Sequence, residues 1–265
     1  MIYKNLTDKT IMNKEEYLRK KNNIDNATRS ECKKCLRPTR ACFCEFITRV
    51  HTDAKIVILM HPTEMKKGHV GTGRLAHLSL TNSQIIVDKD FDSNSQFNKL
   101  ISDNTFSHYV LYPSENPLDL NCKTTQQQYQ RKPALIFIID ATWPRAKKMF
   151  KNTTKLHRLS QISFKLDAKS LFTIKQQPTS DCLSTIESVL HLLNMLKEHQ
   201  LESPELELRN FLLPLRELVR FHKEIAMDES QNSYRRKSHA PSDPEKRVPS
   251  KKWQTRSVYF KIKNT

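Results

Sequence analysis

Four short apolar runs punctuate the chain: Lys55-Ile-Val-Ile-Leu-Met60, Gln84 to Val87, His108 to Tyr112, and Ala134 to Ile139. Each is continuous rather than alternating, the pattern of a strand buried on both faces, as in a parallel sheet covered by helices. Between them lie helical spacings, with Leu75, Leu78 and Leu80 in one segment and Phe97, Leu100 and Ile101 in the next. Alternating strands and helices predict an α/β domain with a mainly parallel sheet. Further on, Ser184-Thr-Ile-Glu187 has the Ser-x-x-Glu capping-box pattern just ahead of Val189, Leu190, Leu193 and Leu196 at helical intervals. A second helical stretch is expected over 205–227, kinked or divided at Pro214. No apolar run approaches the ~18 residues of a membrane helix. The first residues, with Lys4, Asp8, Lys9, Glu15 and Glu16, have no apolar core of the signal-peptide kind. A cytoplasmic protein with no membrane partner is therefore the expectation.

The flanks read differently. Residues 1–30 are polar, a leader with at most a helix near 14–21. From Asp228 onward Ser, Lys, Arg and three prolines take over, with ten Lys+Arg against four acids, so 228–265 reads as a flexible basic tail. The expected organisation is a leader (1–30), a small cysteine-bearing module (31–50), a catalytic domain (51–227) and the tail.

Charge and glycine content sharpen this picture. With 45 Lys+Arg against 28 Asp+Glu the formal charge is +17, which points to a phosphate-rich partner. Only 3 glycines occur, Gly68, Gly71 and Gly73, all within six residues. Their confinement marks one place where the backbone needs unusual torsions or lets something approach closely. The pattern fits neither Gly-x-Gly-x-x-Gly nor Gly-x-x-x-x-Gly-Lys-Ser/Thr, which argues against nucleoside triphosphate binding. His61 and His69, in the same region, read as ligands, bases or plain loop residues.

Four of six cysteines form Cys32-x-x-Cys35-x6-Cys42-x-Cys44, among Arg29, Lys33, Lys34, Arg37 and Arg40. Four thiolates this close can converge on one zinc ion; the alternatives are two disulfides, which a reducing compartment disfavours, and four unlinked cysteines. With all four bound no coordination position stays open, so the zinc would be structural, fixing a small basic knob.

Asp140-Ala-Thr-Trp143-Pro144-Arg145-Ala-Lys147-Lys148 follows directly on the strand Ala134 to Ile139. A carboxylate at the carboxyl end of a parallel strand is where α/β sheets place ligand-handling groups, although Asp140 or Thr142 also reads as a helix N-cap and Trp143 as a core aromatic. From Trp143 to Lys175 there are nine Lys+Arg and one acid, Asp167, which reads as a phosphate-backbone surface. Trp143 stacking on a splayed base while Asp140 accepts its proton would suit an enzyme acting on a nucleobase.

Together, the four-cysteine cluster, Asp140-Ala-Thr-Trp143 and Ser184-Thr-x-Glu187 resemble the DTW-domain family, the tRNA-uridine aminocarboxypropyltransferases, in order and spacing from about Cys32 to Leu196. Leu111-Tyr-Pro-Ser-Glu115 and Thr72-Gly-Arg-Leu75 support the resemblance, while Gly71 stands where a polar residue such as asparagine is expected. The resemblance implies a SPOUT-like α/β fold with a C-terminal knot. It also implies transfer of the 3-amino-3-carboxypropyl group of S-adenosylmethionine (SAM) to N3 of a tRNA uridine. In that reading Asp140 is the base, Thr142 an orienting hydroxyl and Trp143 a stacking platform. By analogy, Leu111, Ser114, Glu115, Leu183, Ser184 and Thr185 contact the cofactor, and Arg74 or Arg145 clamps its carboxylate. Arg74, Arg145, Lys147 and Lys148 are the expected substrate contacts. A SAM-dependent RNA methyltransferase and a non-catalytic, zinc-dependent RNA-binding module are the alternatives.

Overall fold

A computed structural model describes residues 31–66, 71–114, 117–122, 132–165, 169–174 and 182–227. Its centre is a six-stranded sheet of β1 (Lys55–Met60), β2 (Ser83–Val87), β3 (Ser107–Leu111), β4 (Leu118–Asp119), β5 (Ala134–Asp140) and β6 (Ser160–Ser163), in the order β2-β1-β5-β3-β6-β4. All five pairings are parallel. The four continuous apolar runs became four of these strands, each within a residue of its expected bounds.

Continuous hydrophobicity is explained by cover on both sides. Ile56, Ile58, Tyr109, Ile136 and Ile138 point to one face, packed by α2 (Thr72–Leu78), α5 (Thr185–Glu198) and α6 (Leu213–Met227). Val57, Leu59, Val110, Leu135 and Phe137 point to the other, against α3 (Ser95–Ile101), α4 (Trp143–Asn152) and the turn Thr154–Arg158. A short α1 (Pro62–Lys66) follows β1. Each fully buried side chain of this kind contributes roughly 1.5–3 kcal/mol. No described helix is long and apolar enough to cross a membrane.

The capping box forms as expected and opens α5. The stretch from 205 differs: residues 205–212 are turns, and the helix begins at Leu213 with Pro214 in its first turn. A proline is tolerated there because the first-turn N–H groups have no intrahelical acceptor, so Pro214 starts the helix instead of breaking it. The leader, the basic tail and Gly68, His69 and Glu115 lie outside the described residues. So do 166–168 and 175–181, on which the expected knot depends.

The strand order places the site. β2 lies on one side of β1, while β5 and β3 lie on the other. The chain leaves β1 toward β2 and β5 toward β6, in opposite directions, and it is at the strand carboxyl ends of such a switch point that α/β sheets hold ligands. Met60 and Asp140 pair at that end, and the His61 N–H donates to the Asp140 carbonyl at 3.0 Å.

Candidate active site

Two assemblies of chemically active side chains stand out. In the first, the Cys32 backbone N–H donates to the Arg37 carbonyl at 2.7 Å and the Leu36 N–H to the Cys32 carbonyl at 2.8 Å, closing a tight turn in which Leu36 has φ 56°. Turns at Thr39–Ala41 and Cys44–Phe46 return the second cysteine pair to the first. The four Sγ atoms lie within 4.8 Å of one another, with Cys32–Cys44 and Cys35–Cys42 both at 3.7 Å. A tetrahedron of Zn–S bonds of about 2.3 Å has S···S edges of about 3.8 Å, so the donor set fits zinc; no disulfide joins these cysteines.

The hydrogen bond between Cys35 and Cys42 holds the Cys35 thiol down to about 5, while the same bond, joined by burial, pushes Cys42 up. Burial, then the hydrogen bond with Cys32, pushes Cys44 up to about 12. Cysteine binds a metal as the thiolate, so a divalent ion held here would offset the repulsion among four clustered sulfurs. Arg37, counted above in the basic knob, is only 3% exposed, its guanidinium 5.2 Å from the Phe43 ring and 5.6 Å from the Phe221 ring. Burial lowers its basicity while Cys35 and Cys42 support it.

The second assembly surrounds Asp140. Side chains alternate along a strand, so Asp140 shares the face of Ile136 and Ile138 and points toward α2 and α5. It is buried, and the Thr185 hydroxyl donates to its Oδ1 at 2.5 Å. Against its other side stands Gly73, where an added Cβ would lie 2.5 Å from Oδ2 and 2.6 Å from Cγ. Neither described glycine has a positive φ, so close approach, not torsion, is what requires glycine at 73. At Gly71 a Cβ would meet only Arg74 Cβ at 3.6 Å, ordinary contact, so that position accepts a side chain.

Glu187 fixes the start of α5. Its carboxylate accepts from the Ser184 N–H at 2.8 Å, the Ser184 hydroxyl at 2.5 Å, the Leu171 N–H at 2.6 Å and the Ser170 hydroxyl at 2.7 Å. The hydroxyls of Ser184 and Thr185, expected from the resemblance at the cofactor, thus bond to Glu187 and Asp140.

Just beyond the end of β5, Thr142 sits at the N-cap of α4, its carbonyl accepting from the Arg145 and Ala146 N–H groups, both at 2.8 Å, while its hydroxyl makes no capping bond. Trp143 is half-buried at the first position, followed by Pro144. Arg145 reaches to 4.0 Å from Glu64 of α1, and Arg74 donates to the Met65 sulfur at 2.9 Å. His61 was left unassigned by its sequence context. Its Nδ1 accepts from the Thr63 N–H at 3.1 Å, which puts the neutral ring's proton on Nε2. Burial, then the charges of Arg145 and Lys89, lower its basicity. Leu111 pairs with Ile138, and Ser114 lies three residues further on, at the same end of the sheet. Leu183 is half-buried just before the cap.

Lys147 and Lys148 are exposed on α4 together with Lys151, and Arg158 is exposed in the following turn. Lys155, counted above in the same phosphate-facing run, is not part of that surface. Its Nζ donates to the Asp92 carbonyl at 2.7 Å and to Asn98 Oδ1 at 2.6 Å, fastening the turn to α3.

Sequence comparison bears on both assemblies. The DTW domain profile matches residues 29–223. A Drosophila melanogaster protein named tRNA-uridine aminocarboxypropyltransferase 2 is 29% identical over 211 residues, 77% of this chain and 79% of the relative. Proteins of the same name from Macaca fascicularis and Mus musculus are 27% and 25% identical over 174 residues, 64% of this chain and 58% of their own length. No solved structure matches the chain. With one profile spanning the cysteine cluster, Asp140-Ala-Thr-Trp143 and the capping box, this chain belongs to the DTW-domain family.

Proposed function

We propose that this protein transfers the 3-amino-3-carboxypropyl group of SAM to N3 of a uridine in tRNA. The observation that carries the reading is Asp140, a buried carboxylate at the carboxyl end of a central parallel strand, held by a hydroxyl and adjoining the Trp143 helix start. The three relatives' names support it.

Bound SAM would supply an electrophilic carbon beside its sulfonium, with methylthioadenosine as the leaving group. The exit of β3, with Leu111 and Ser114, and the start of α5, just after Leu183, lie where bound SAM would sit beside Asp140. The side chains' work is to remove the N3 proton as the N3–carbon bond forms and the carbon–sulfur bond breaks, and Asp140 accepts that proton. Trp143 stacks on the uracil, and Thr142 offers it an uncommitted hydroxyl. Arg74 and Arg145 are the cations placed to hold the donor's carboxylate. Exposed Lys147, Lys148, Lys151 and Arg158 meet the RNA backbone. Zinc held by Cys32, Cys35, Cys42 and Cys44 is structural, since no coordination position stays open.

Incubation with unmodified tRNA and SAM, followed by digestion and mass analysis of the nucleosides, tests the reading. The expected product is aminocarboxypropyluridine with methylthioadenosine. A methyl adduct with S-adenosylhomocysteine would replace it with a methyltransferase, and absence of SAM binding by calorimetry would replace it with a binding module. Asp140→Asn is expected to lower kcat about 10²- to 10⁴-fold with tRNA affinity nearly intact.

A further inference from the structure

The Asp140 carboxylate is constrained from two sides by residues to which the chemistry above gives no part. The torsion that turns an aspartate carboxylate is broad and close to two-fold, so burial alone does not choose its orientation. Thr185 chooses it, because a hydroxyl donating to Oδ1 at 2.5 Å stops that rotation. Gly73 completes the constraint: a Cβ there would stand 2.5 Å from Oδ2, 2.6 Å from Cγ and 3.1 Å from Asp140 Cβ, so any side chain at 73 displaces the carboxylate. Thr185 is itself well anchored. It is the first residue of α5, whose start is held by the Glu187 carboxylate through Ser184, Ser170 and Leu171. The two restraints come from different helices, 112 positions apart in the chain by their residue numbers, and meet on one side chain.

We propose that Thr185 is the positioning residue of Asp140 and Gly73 its steric counterpart, the hydroxyl fixing one carboxylate oxygen and the bare Cα leaving room for the other. The proposal rests on the reading of Asp140 as the base. It gives Thr185 a role toward Asp140 rather than a direct contact with the donor.

The test is steady-state kinetics of the full chain with tRNA and SAM. Thr185→Val, which removes the hydroxyl and keeps the shape, is expected to lower kcat roughly 10- to 100-fold, the cost of a misplaced catalytic group, with both KM values nearly unchanged. Thr185→Ser, which restores the hydroxyl, should recover most of the loss. A second measurement does not depend on activity: Gly73→Ala should lower the melting temperature in the wild-type background and much less in Asp140→Ala, where the atoms it collides with are gone. Full kcat in Thr185→Val, failure of Thr185→Ser to recover kcat, or an equal Gly73→Ala penalty in both backgrounds overturns the proposal. If Asp140→Asn keeps full kcat, the base reading falls. If Asp140→Asn is inactive while Thr185→Val is fully active, only the positioning role falls.

Discussion

The cysteine cluster and the Asp140 site are built in opposite ways. The cluster closes within one short stretch, with Cys32 and Cys44 only 12 residues apart, and its turns are made by its own backbone hydrogen bonds. The Asp140 site draws on the ends of β1 and β5 and the starts of α2, α4 and α5, and its key hydrogen bond joins residues 45 apart. A local site keeps its donor set as long as its own turns hold. A site built across the sheet exists only when the sheet and its covering helices are in place, so its geometry is tied to the stability of the whole domain. The two meet in one core, since Cys35 and Phe43 pack in the same cluster as α5 and α6.

Substitutions can break this contrast. The largest effect is expected from Cys42→Ser, which removes one zinc ligand. Metal analysis should find near-stoichiometric zinc in the wild type and little in the variant, and urea unfolding a loss on the order of 5 kcal/mol or more. Unchanged stability would mean that the cluster is not a metal staple.

Next comes Glu187→Ala, aimed at the long-range site. It leaves the N–H groups of exposed Leu171 and buried Ser184 without their carboxylate acceptor, and a loss of about 2 kcal/mol in urea unfolding is expected. Because α5 loses its anchor, kcat should fall as well. A stability loss with kcat unchanged would separate the helix start from Asp140.

Glu202 sharpens the comparison from the other end of β1. It accepts from the N–H groups of Asp53 at 3.0 Å and Ala54 at 2.7 Å, a tie 148 residues long at its shorter and far from the strand exits. Burial pushes its carboxyl above the ordinary value of 4.5. The folded state therefore binds this proton more tightly than the unfolded one, and the contribution to stability falls as pH rises through the folded value. Wild type should lose stability relative to Glu202→Gln as pH rises above 4.5, measured by urea unfolding, with kcat little changed across the series. A pH-independent difference would show that burial is not acting on this group.

The smallest effect belongs to the local region. Leu36 is exposed with φ 56°, a conformation that favours glycine. Leu36→Gly should gain at most about 1 kcal/mol and leave zinc content unchanged. A marked loss would mean that the Leu36 side chain contributes packing to the turn.

How far each region was legible follows from the same distinction. The strands could be read because burial on both faces leaves a run such as Ala134 to Ile139 without polar interruptions. The cysteines could be read because their spacing is itself the geometry of the ligand set, and the capping box because its two partners are three residues apart. Asp140 was visible as a carboxylate ending a strand, and counting alternate positions from Ile136 and Ile138 would have placed it on the α2 and α5 face. Its partners carried no comparable signal, since nothing near Thr185 or Gly73 in the chain refers to position 140.

Charge was the least legible property. Arg37 and Lys155 look like their basic neighbours in sequence, yet one lies between two phenylalanine rings and the other holds a turn to α3. Pro214 likewise carries no mark of its place in a helix, and its effect reverses between interior and first turn. The amino-acid order settled what depends on neighbours a few positions away: strand runs, caps and the cysteine spacing. Packing of the helices on the sheet settled which charges face solvent and which residues hold Asp140, because burial and contact arise from segments that only the folded chain brings together.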